Sequence, residues 1–185
     1  MVMRKATAIL ALLLTFCVSA CDSQRSSPTH THGSTIILVV RHAEKASDAE
    51  DSPLAEAGIQ RAQALARVAE DAGVSAIYCS QLRRSIDTAK PLSDRLGVAV
   101  TQMPVNLNSP GDYGKSLAKE ILAKHPGQTV LVVGHNNTLA STIEGLSGRA
   151  APIDNVEYSD LYIVTIPPSG EAGVIKVQYG LKYGG

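Results

Sequence analysis

Short apolar runs alternate with helix-forming segments along most of this chain, and this alternation restricts the fold more than any other feature. Strands are predicted at residues 35–40, 74–79, 98–103 and 129–134, with a closing hairpin from 161–166 and 174–178. Helices are predicted from about Pro53 to Gly73 and at residues 81–96, 112–125 and 136–146. Strands separated by helices of this length form βαβ units. We therefore expect an α/β fold, a three-layer α/β/α sandwich with a mostly parallel central sheet and an antiparallel edge from the last pair of strands.

The composition fits one ordinary domain and excludes several classes of function. The chain has 185 residues, of which 44% are hydrophobic and 18% charged. Lys+Arg and Asp+Glu number 17 each, so the formal net charge is +0 and we expect no nucleic-acid partner. The 3 cysteines, Cys17, Cys21 and Cys79, stand at three separate places and give neither zinc-ligand pairs nor a disulfide framework.

The first twenty residues have the pattern of an export signal. Arg4 and Lys5 precede an apolar run at residues 6–18, which is short for a transmembrane helix. Small residues then lead to Cys21, and this arrangement resembles the lipobox of bacterial lipoproteins. The resemblance implies cleavage before Cys21 and acylation of that cysteine. The alternative is an ordinary secretory signal with an incidental cysteine.

These features divide the chain into three parts. Residues 1–20 are predicted to be a lipoprotein signal peptide, and residues 21–34 a polar, flexible tether. Residues 35–185 then form the folded domain. We expect an exported protein that a lipid on Cys21 anchors to the cell membrane, on the periplasmic face.

Polar residues follow three of the predicted strands directly. Arg41 and His42 follow the first strand, the segment 80–84 follows the second, and His135 follows the strand at 129–134. Ligands of open α/β sheets bind beyond the carboxyl ends of the strands. We therefore expect both histidines and at least one arginine to converge on a single crevice.

Arginines and histidines in one crevice indicate phosphoryl chemistry. A guanidinium group presents paired donors that match the oxygens of a phosphate. A neutral imidazole can attack phosphorus and form a phosphohistidine, and neighbouring cations favour its neutral form. The sequence contains no carboxylate cluster with metal-ligand spacing and no glycine-rich nucleotide loop, so we expect no metal and no cofactor.

Four segments in order resemble the histidine phosphatase superfamily, the phosphoglycerate-mutase-like proteins. They are Arg-His-Ala-Glu at 41–44, Leu-x-x-x-Gly at 54–58, the Ser-x-Leu-x-Arg segment at 80–89, and Val-Gly-His at 133–135. The resemblance extends from about residue 36 to residue 166. It implies a metal-independent phosphatase that acts on a small phosphorylated substrate.

The resemblance also implies a role for each matching residue. His42 is the expected nucleophile, Arg41 and Arg84 bind the phosphoryl group, and His135 donates a hydrogen bond to it in the transition state. Asn136 either presents a donor to the substrate or caps the next helix.

Not every residue near the predicted site is expected to take part in the chemistry. Glu44 is expected to position a loop, and Arg83 to be a solvated helix residue. The side chain of Tyr158 either lines the substrate rim or packs.

Two departures from the family pattern are visible. Ala43 stands where the signature has glycine, a mild change if the backbone φ there is negative. The general acid is not evident, and the candidates are Asp112, Glu157 and Asp160. Asp112 could equally be a helix N-cap. Another branch has an acidic residue where this chain has Asn136.

The expected activity is phosphatase rather than mutase, because an exported lipoprotein has no supply of a cytosolic glycolytic substrate. The alternative is a non-catalytic lipoprotein of the cell envelope that binds phosphate or a phosphosugar. A shared fold cannot separate these two functions, since function depends on the site.

Overall fold

The central strand of the sheet is a run of β-branched and aliphatic residues, β1 (Thr35–Arg41). It belongs to a computed structural model that describes residues 33–153 and 155–180. The predicted signal peptide (1–20), Cys21 and nearly all of the tether lie outside the described residues. The other strands are β2 (Val74–Cys79), β3 (Val100–Gln102), β4 (Thr129–Gly134), β5 (Asp160–Ile166) and β6 (Gly173–Gln178). The helices are α1 (Glu56–Ala69), α2 (Arg83–Leu96), α3 (Tyr113–Lys124) and α4 (Leu139–Ser147).

The strands form one sheet in the order β3-β2-β4-β1-β5-β6. The first four strands in this order are parallel, whereas β5 runs antiparallel to β1 and β6 antiparallel to β5. The predicted mixed α/β architecture with a mostly parallel sheet and an antiparallel edge is therefore confirmed.

Helices cover both faces of the sheet, which is why the central strands are apolar on both sides. In β1, Ile37 and Val39 pack in one hydrophobic cluster with α3 and α4. Leu38 and Val40 pack in a second cluster with α1 and α2. All four side chains are buried. No helix among the described residues is long and apolar enough to cross a membrane.

The element boundaries differ from the sequence prediction near the ends of strands. Helix α4 begins at Leu139 rather than at 136, because residues 135–138 form a hydrogen-bonded turn in which the Thr138 amide donates to the His135 carbonyl (2.9 Å). Thr138 is the N-cap residue of α4, so the reading of Asn136 as that cap is wrong. Strand β3 spans three residues rather than six.

The antiparallel direction of β5 determines what reaches the crevice. Val40 of β1 pairs with Leu161 of β5, so the start of β5 lies beside the carboxyl end of β1. The loop at residues 155–159 therefore enters the same edge of the sheet as the residues that follow the parallel strands.

Candidate active site

Both predicted histidines lie side by side at this edge. Arg41 pairs with Gly134 in the register of β1 and β4, so the residues that follow them, His42 and His135, become neighbours. The two ring centroids are 5.2 Å apart, and the His42 amide donates to the Gly134 carbonyl (2.9 Å). Both side chains are buried.

The hydrogen bonds of His42 determine its tautomer. Its Nδ1 lies 2.8 Å from the Ala43 carbonyl oxygen, which can only accept, so Nδ1 carries the proton. Its Nε2 lies 3.2 Å from Nε of Arg84, which can only donate, so Nε2 presents a lone pair. The ring is thus a neutral imidazole with an unprotonated Nε2.

Arg84 occupies the first turn of α2 and is buried against His42. Its Nη1 donates to the Glu50 carbonyl oxygen of the loop after β1. Thr88 joins this helix to the nucleophile loop, because its hydroxyl donates to the Arg84 carbonyl (2.6 Å) and accepts from the Ala43 amide (2.9 Å). The neighbouring Arg83 is exposed, as expected.

Arg41 is held by the loop that precedes β5. Its Nη1 donates to the Val156 carbonyl (2.9 Å) and its Nη2 to the Tyr158 hydroxyl (3.3 Å). The guanidinium carbon also lies 4.1 Å from the centroid of the Tyr158 ring, a cation–π distance. The Tyr158 ring in turn lies 5.9 Å from the His42 ring. Tyr158 therefore forms an aromatic wall beside both residues.

His135 is bonded on one side of its ring only. Its Nε2 lies 2.8 Å from Oγ of Ser80 and 3.5 Å from Oγ of Ser85. Its Nδ1 is buried and has no hydrogen-bond partner in the described part of the protein. Nε of Arg41 is likewise buried without a hydrogen-bond partner among the described residues. Two buried nitrogens of the site are therefore unpartnered by protein groups, which is costly unless an anion or water meets them.

Burial and positive charge together keep both imidazoles neutral. Burial is the largest cause that lowers the pKa of His42 from 6.5 to about 4; the bond to the Ala43 carbonyl opposes it, and the charges of Arg84 and Arg41 add to it. Burial, with the interaction with His42 and then the two arginines, lowers the pKa of His135 to about 3.

The candidate general acids lie in different surroundings. Asp160 is buried and bonded to Lys176 Nζ (2.8 Å) and the Glu157 amide (3.0 Å), so its carboxylate is committed to the start of β5. Asp112 occupies the N-cap position of α3 without a side-chain cap bond, and its side chain is exposed. Glu157 is also exposed, and it lies between the two residues that bind Arg41.

Asn136 and Glu44 act on the loops around the site. The Asn136 side-chain oxygen accepts from the Val156 amide (3.1 Å), which attaches the loop before β5 to the end of β4. Glu44 forms a buried ion pair with Arg61 of α1 (Oε1 to Nη2, 2.7 Å). No non-glycine residue in the described part of the protein has a positive φ, and this includes Ala43. Alanine at the position where the family signature has glycine therefore causes no backbone strain.

No group of three or more His, Cys, Asp or Glu side chains in the described segments could hold a metal ion. The donors of this site are imidazole and guanidinium groups.

The comparisons with known proteins agree with this geometry. Residues 37–105 match the family model of the histidine phosphatase superfamily (branch 1). The resemblance to that superfamily is confirmed over these residues. No curated protein matches the chain.

Solved structures of phosphatases share the fold. A protein assigned as an alpha-ribazole-5'-P phosphatase from Escherichia coli has a TM-score of 0.63 and 18% identity, over 80% of this chain and 99% of its own. A protein assigned as the phosphohistidine phosphatase SixA of Agrobacterium tumefaciens has a TM-score of 0.58 and 23% identity, over 77% of this chain and 97% of its own.

A mycobacterial glucosyl-3-phosphoglycerate phosphatase has a TM-score of 0.57 and 18% identity, over 71% of this chain and 90% of its own. At these identities the likeness to solved structures concerns the fold. The family match supports a hydrolase that acts on phosphoric esters, and the phosphatase neighbours agree with it in fold.

Three contacts of the site were not evident from the sequence. The Val156 carbonyl binds Arg41 through its backbone, which no side-chain pattern reveals. Ser80 was visible only as the first letter of a motif, with no role attached. The local sequence does not decide whether Tyr158 lines the rim or packs, because its place depends on the antiparallel direction of β5.

Proposed function

We propose that this protein is a metal-independent phosphatase that hydrolyses small phosphomonoesters through a phosphohistidine on His42. The observation that carries the proposal is the state of the His42 ring. Its Nε2 is unprotonated and lies beside a guanidinium donor at 3.2 Å, while its Nδ1–H is bonded to the Ala43 carbonyl. A buried imidazole held in this way has a nucleophilic lone pair directed at a cationic anion-binding pocket.

The reaction divides into two displacements. The Nε2 lone pair attacks phosphorus, the bond from phosphorus to the ester oxygen breaks, and that oxygen leaves with the electron pair and takes a proton from the general acid. A water molecule then attacks the phosphohistidine and gives a proton back to that group, the bond from nitrogen to phosphorus breaks, and inorganic phosphate leaves with His42 neutral again. The Ala43 carbonyl stabilises the positive charge on the ring while Nε2 is bonded to phosphorus.

The remaining donors fit a phosphoryl group in this position. Arg84 Nε already touches the reacting nitrogen, and the unpartnered Arg41 Nε and His135 Nδ1 are both buried. Charge spreads over the equatorial oxygens of the transferring phosphoryl group, so donors of this kind supply most of the catalysis.

Among the candidate acids, the contacts favour Glu157 over Asp112. Glu157 lies between Val156 and Tyr158, both of which bind Arg41, and its carboxyl group is exposed at that edge. We expect Glu157→Gln to slow hydrolysis of alkyl phosphates about 10²-fold while sparing aryl phosphates with good leaving groups. Asp112→Asn is the control, and equal losses on both substrates, or a larger loss in the control, would reject the assignment.

We also propose that the protein is exported and attached to the membrane through a lipid on Cys21, facing the periplasm. The sequence at 1–21 supports this, and the substrate would then be a small phosphoester of the cell envelope. Cys21→Ser should remove metabolic labelling by palmitate and release the protein from the membrane fraction. Labelling that survives the substitution would contradict the anchor.

The activity is tested with an aryl phosphate in the presence of EDTA, using the chain from Ser23 onward. We expect hydrolysis by the wild type, none by His42→Ala, and nearly normal rates for Arg83→Ala. Activity that needs a divalent ion, or that survives in His42→Ala, contradicts the mechanism. Tight binding of phosphate without turnover would instead identify a non-catalytic binding protein.

A further inference from the structure

We propose that Ser80 is a positioning residue that fixes His135 in the tautomer protonated at Nδ1, so that this N–H faces the phosphoryl group. The inference rests on the proposed function and assigns the direction of the hydrogen bonds behind the second histidine.

The contacts of Ser80 form a closed, buried set. Its Oγ lies 2.8 Å from His135 Nε2, 3.1 Å from Ser85 Oγ and 3.3 Å from the amide nitrogen of Leu82. Ser80 and Ser85 are both 0% exposed, and His135 is 3% exposed. Solvent therefore does not compete for these hydrogen bonds, and the few groups present must satisfy one another.

The donors and acceptors of each group limit the direction of these hydrogen bonds. The oxygens of a phosphoryl group accept hydrogen bonds, so a productive His135 must carry its proton on the free nitrogen, Nδ1. A neutral imidazole carries a single proton, so Nε2 must then accept. Two hydroxyls lie near Nε2, Ser80 Oγ at 2.8 Å and Ser85 Oγ at 3.5 Å, and the nearer one is the donor in the proposed arrangement. Ser80 Oγ accepts from the Leu82 amide (3.3 Å), and the 3.1 Å contact between the two serines must then run from the Ser85 hydroxyl to Ser80 rather than the reverse.

The opposite arrangement is unproductive. If Nε2 carried the proton and donated to Ser80, the lone pair of Nδ1 would face the oxygens of the phosphoryl group and repel them. Because Ser80 Oγ already accepts from the Leu82 amide, donation of its single proton to Nε2 favours the attractive state of the ring.

The backbone holds both partners in place. Ser80 follows β2 and His135 follows β4, and these strands are paired, with Cys79 opposite Val133. The His135 amide donates to Thr138 Oγ1 (3.0 Å), which fixes the turn that carries the ring. Burial keeps the ring neutral, since it lowers the pKa of His135 to about 3, so the tautomer rather than the charge is what Ser80 determines.

The direct test is ¹⁵N NMR of the histidine-labelled protein saturated with inorganic phosphate, with His135→Gln used to assign the signals. We expect Nε2 of His135 at the shift of an unprotonated ring nitrogen and Nδ1 at that of a protonated one. A protonated Nε2, in either the other neutral tautomer or an imidazolium, overturns the proposal. This measurement uses the wild type and does not depend on the folding of a variant.

Substitution provides a second readout. In Ser80→Ala we expect the His135 signals to shift toward the other tautomer and kcat to fall about tenfold, the worth of one buried hydrogen bond. Ser85→Ala, whose hydroxyl lies 3.5 Å rather than 2.8 Å from Nε2, should lose less. Unchanged tautomer signals in Ser80→Ala also overturn the proposal. An active wild type with a trapped phosphohistidine keeps the proposed function intact in that case.

Discussion

At the scale of single residues, the site depends on a neutral imidazole among cationic neighbours. His42 accepts from Arg84 at Nε2 and donates to the Ala43 carbonyl at Nδ1. Each bond alone would orient the ring, and together they also specify which nitrogen is free to react. In the proposed mechanism the arginines serve two purposes, because they would bind the phosphoryl oxygens and they disfavour protonation of His42.

Adjacent arginines offer a matched pair of variants. Arg84 is buried against His42, whereas Arg83 is exposed on the same turn of α2. We predict that Arg84→Ala lowers kcat/KM by about 10²–10³-fold, because a donor to the transition-state charge is lost. Arg83→Ala removes the same charge from an exposed position, so it is the control and should stay within about twofold of the wild type. Steady-state kinetics on one aryl phosphate decide this, and equal effects of the two variants would count against the assignment.

The lowered pKa of His42 also predicts a pH-dependent stability. The pKa is 6.5 for an unperturbed histidine and about 4 in the folded protein. The unfolded chain therefore binds more protons between these values. The neutral state of His42 therefore contributes to the free energy of unfolding in full above pH 6.5. This contribution is lost as the pH falls toward 4, by up to about 3 kcal/mol.

Urea unfolding at pH 7 and pH 5 measures this contribution. His42→Gln should show a smaller loss of stability between the two pH values than the wild type does. The control is His125→Gln, which removes a histidine bonded to Tyr78 and Gln128 outside the site. An unaltered pH dependence in His42→Gln would mean that His42 is not held neutral by the fold.

At the scale of elements, one close contact positions the loop after β1. A Cβ built on Gly58 of α1 would lie 2.3 Å from the Glu44 carbonyl oxygen. This explains why the segment 54–58 ends in glycine at a helix start. The buried Glu44–Arg61 ion pair joins the same loop to the same helix.

Replacing Gly58 by alanine tests this contact, because helix propensity and the clash with the Glu44 backbone have opposite effects on stability. Helix propensity alone would make Gly58→Ala stabilising by about 1 kcal/mol. The clash with the Glu44 backbone should instead destabilise the protein by about 1–3 kcal/mol. Gly33→Ala, where a Cβ meets nothing within 4 Å, is the control. Chemical denaturation compares them, and a stabilised Gly58→Ala would show that the loop moves freely.

The elements with strong local sequence patterns could be predicted from the sequence. The strand ends that hold His42 and His135 follow from apolar runs of fixed length, and so their convergence was predictable. Tyr158 and the Val156 carbonyl were not, because their place depends on the direction and pairing of β5, a long-range property. Of the two expectations for Asn136, the helix cap is wrong because the turn after β4 delays the start of α4.

At the scale of the whole molecule, one edge of the sheet gathers every reactive group described here. Parallel strands bring three of its segments to this edge, and the antiparallel β5 brings the fourth. The strand interiors and the helix faces form two apolar clusters, one on each face of the sheet, that hold this edge in place. The fold thus assembles the proposed phosphoryl site from residues that lie far apart in the sequence.

The measurement that tests this account most directly is trapping of the covalent intermediate. The wild type is mixed with a ³²P-labelled aryl phosphate, quenched in alkali, and digested for mass spectrometry. We expect an acid-labile, alkali-stable phosphoryl group on the peptide that contains His42, present in Arg83→Ala and absent in His42→Ala. Turnover without any such label, or a label on another residue, would contradict the proposed mechanism.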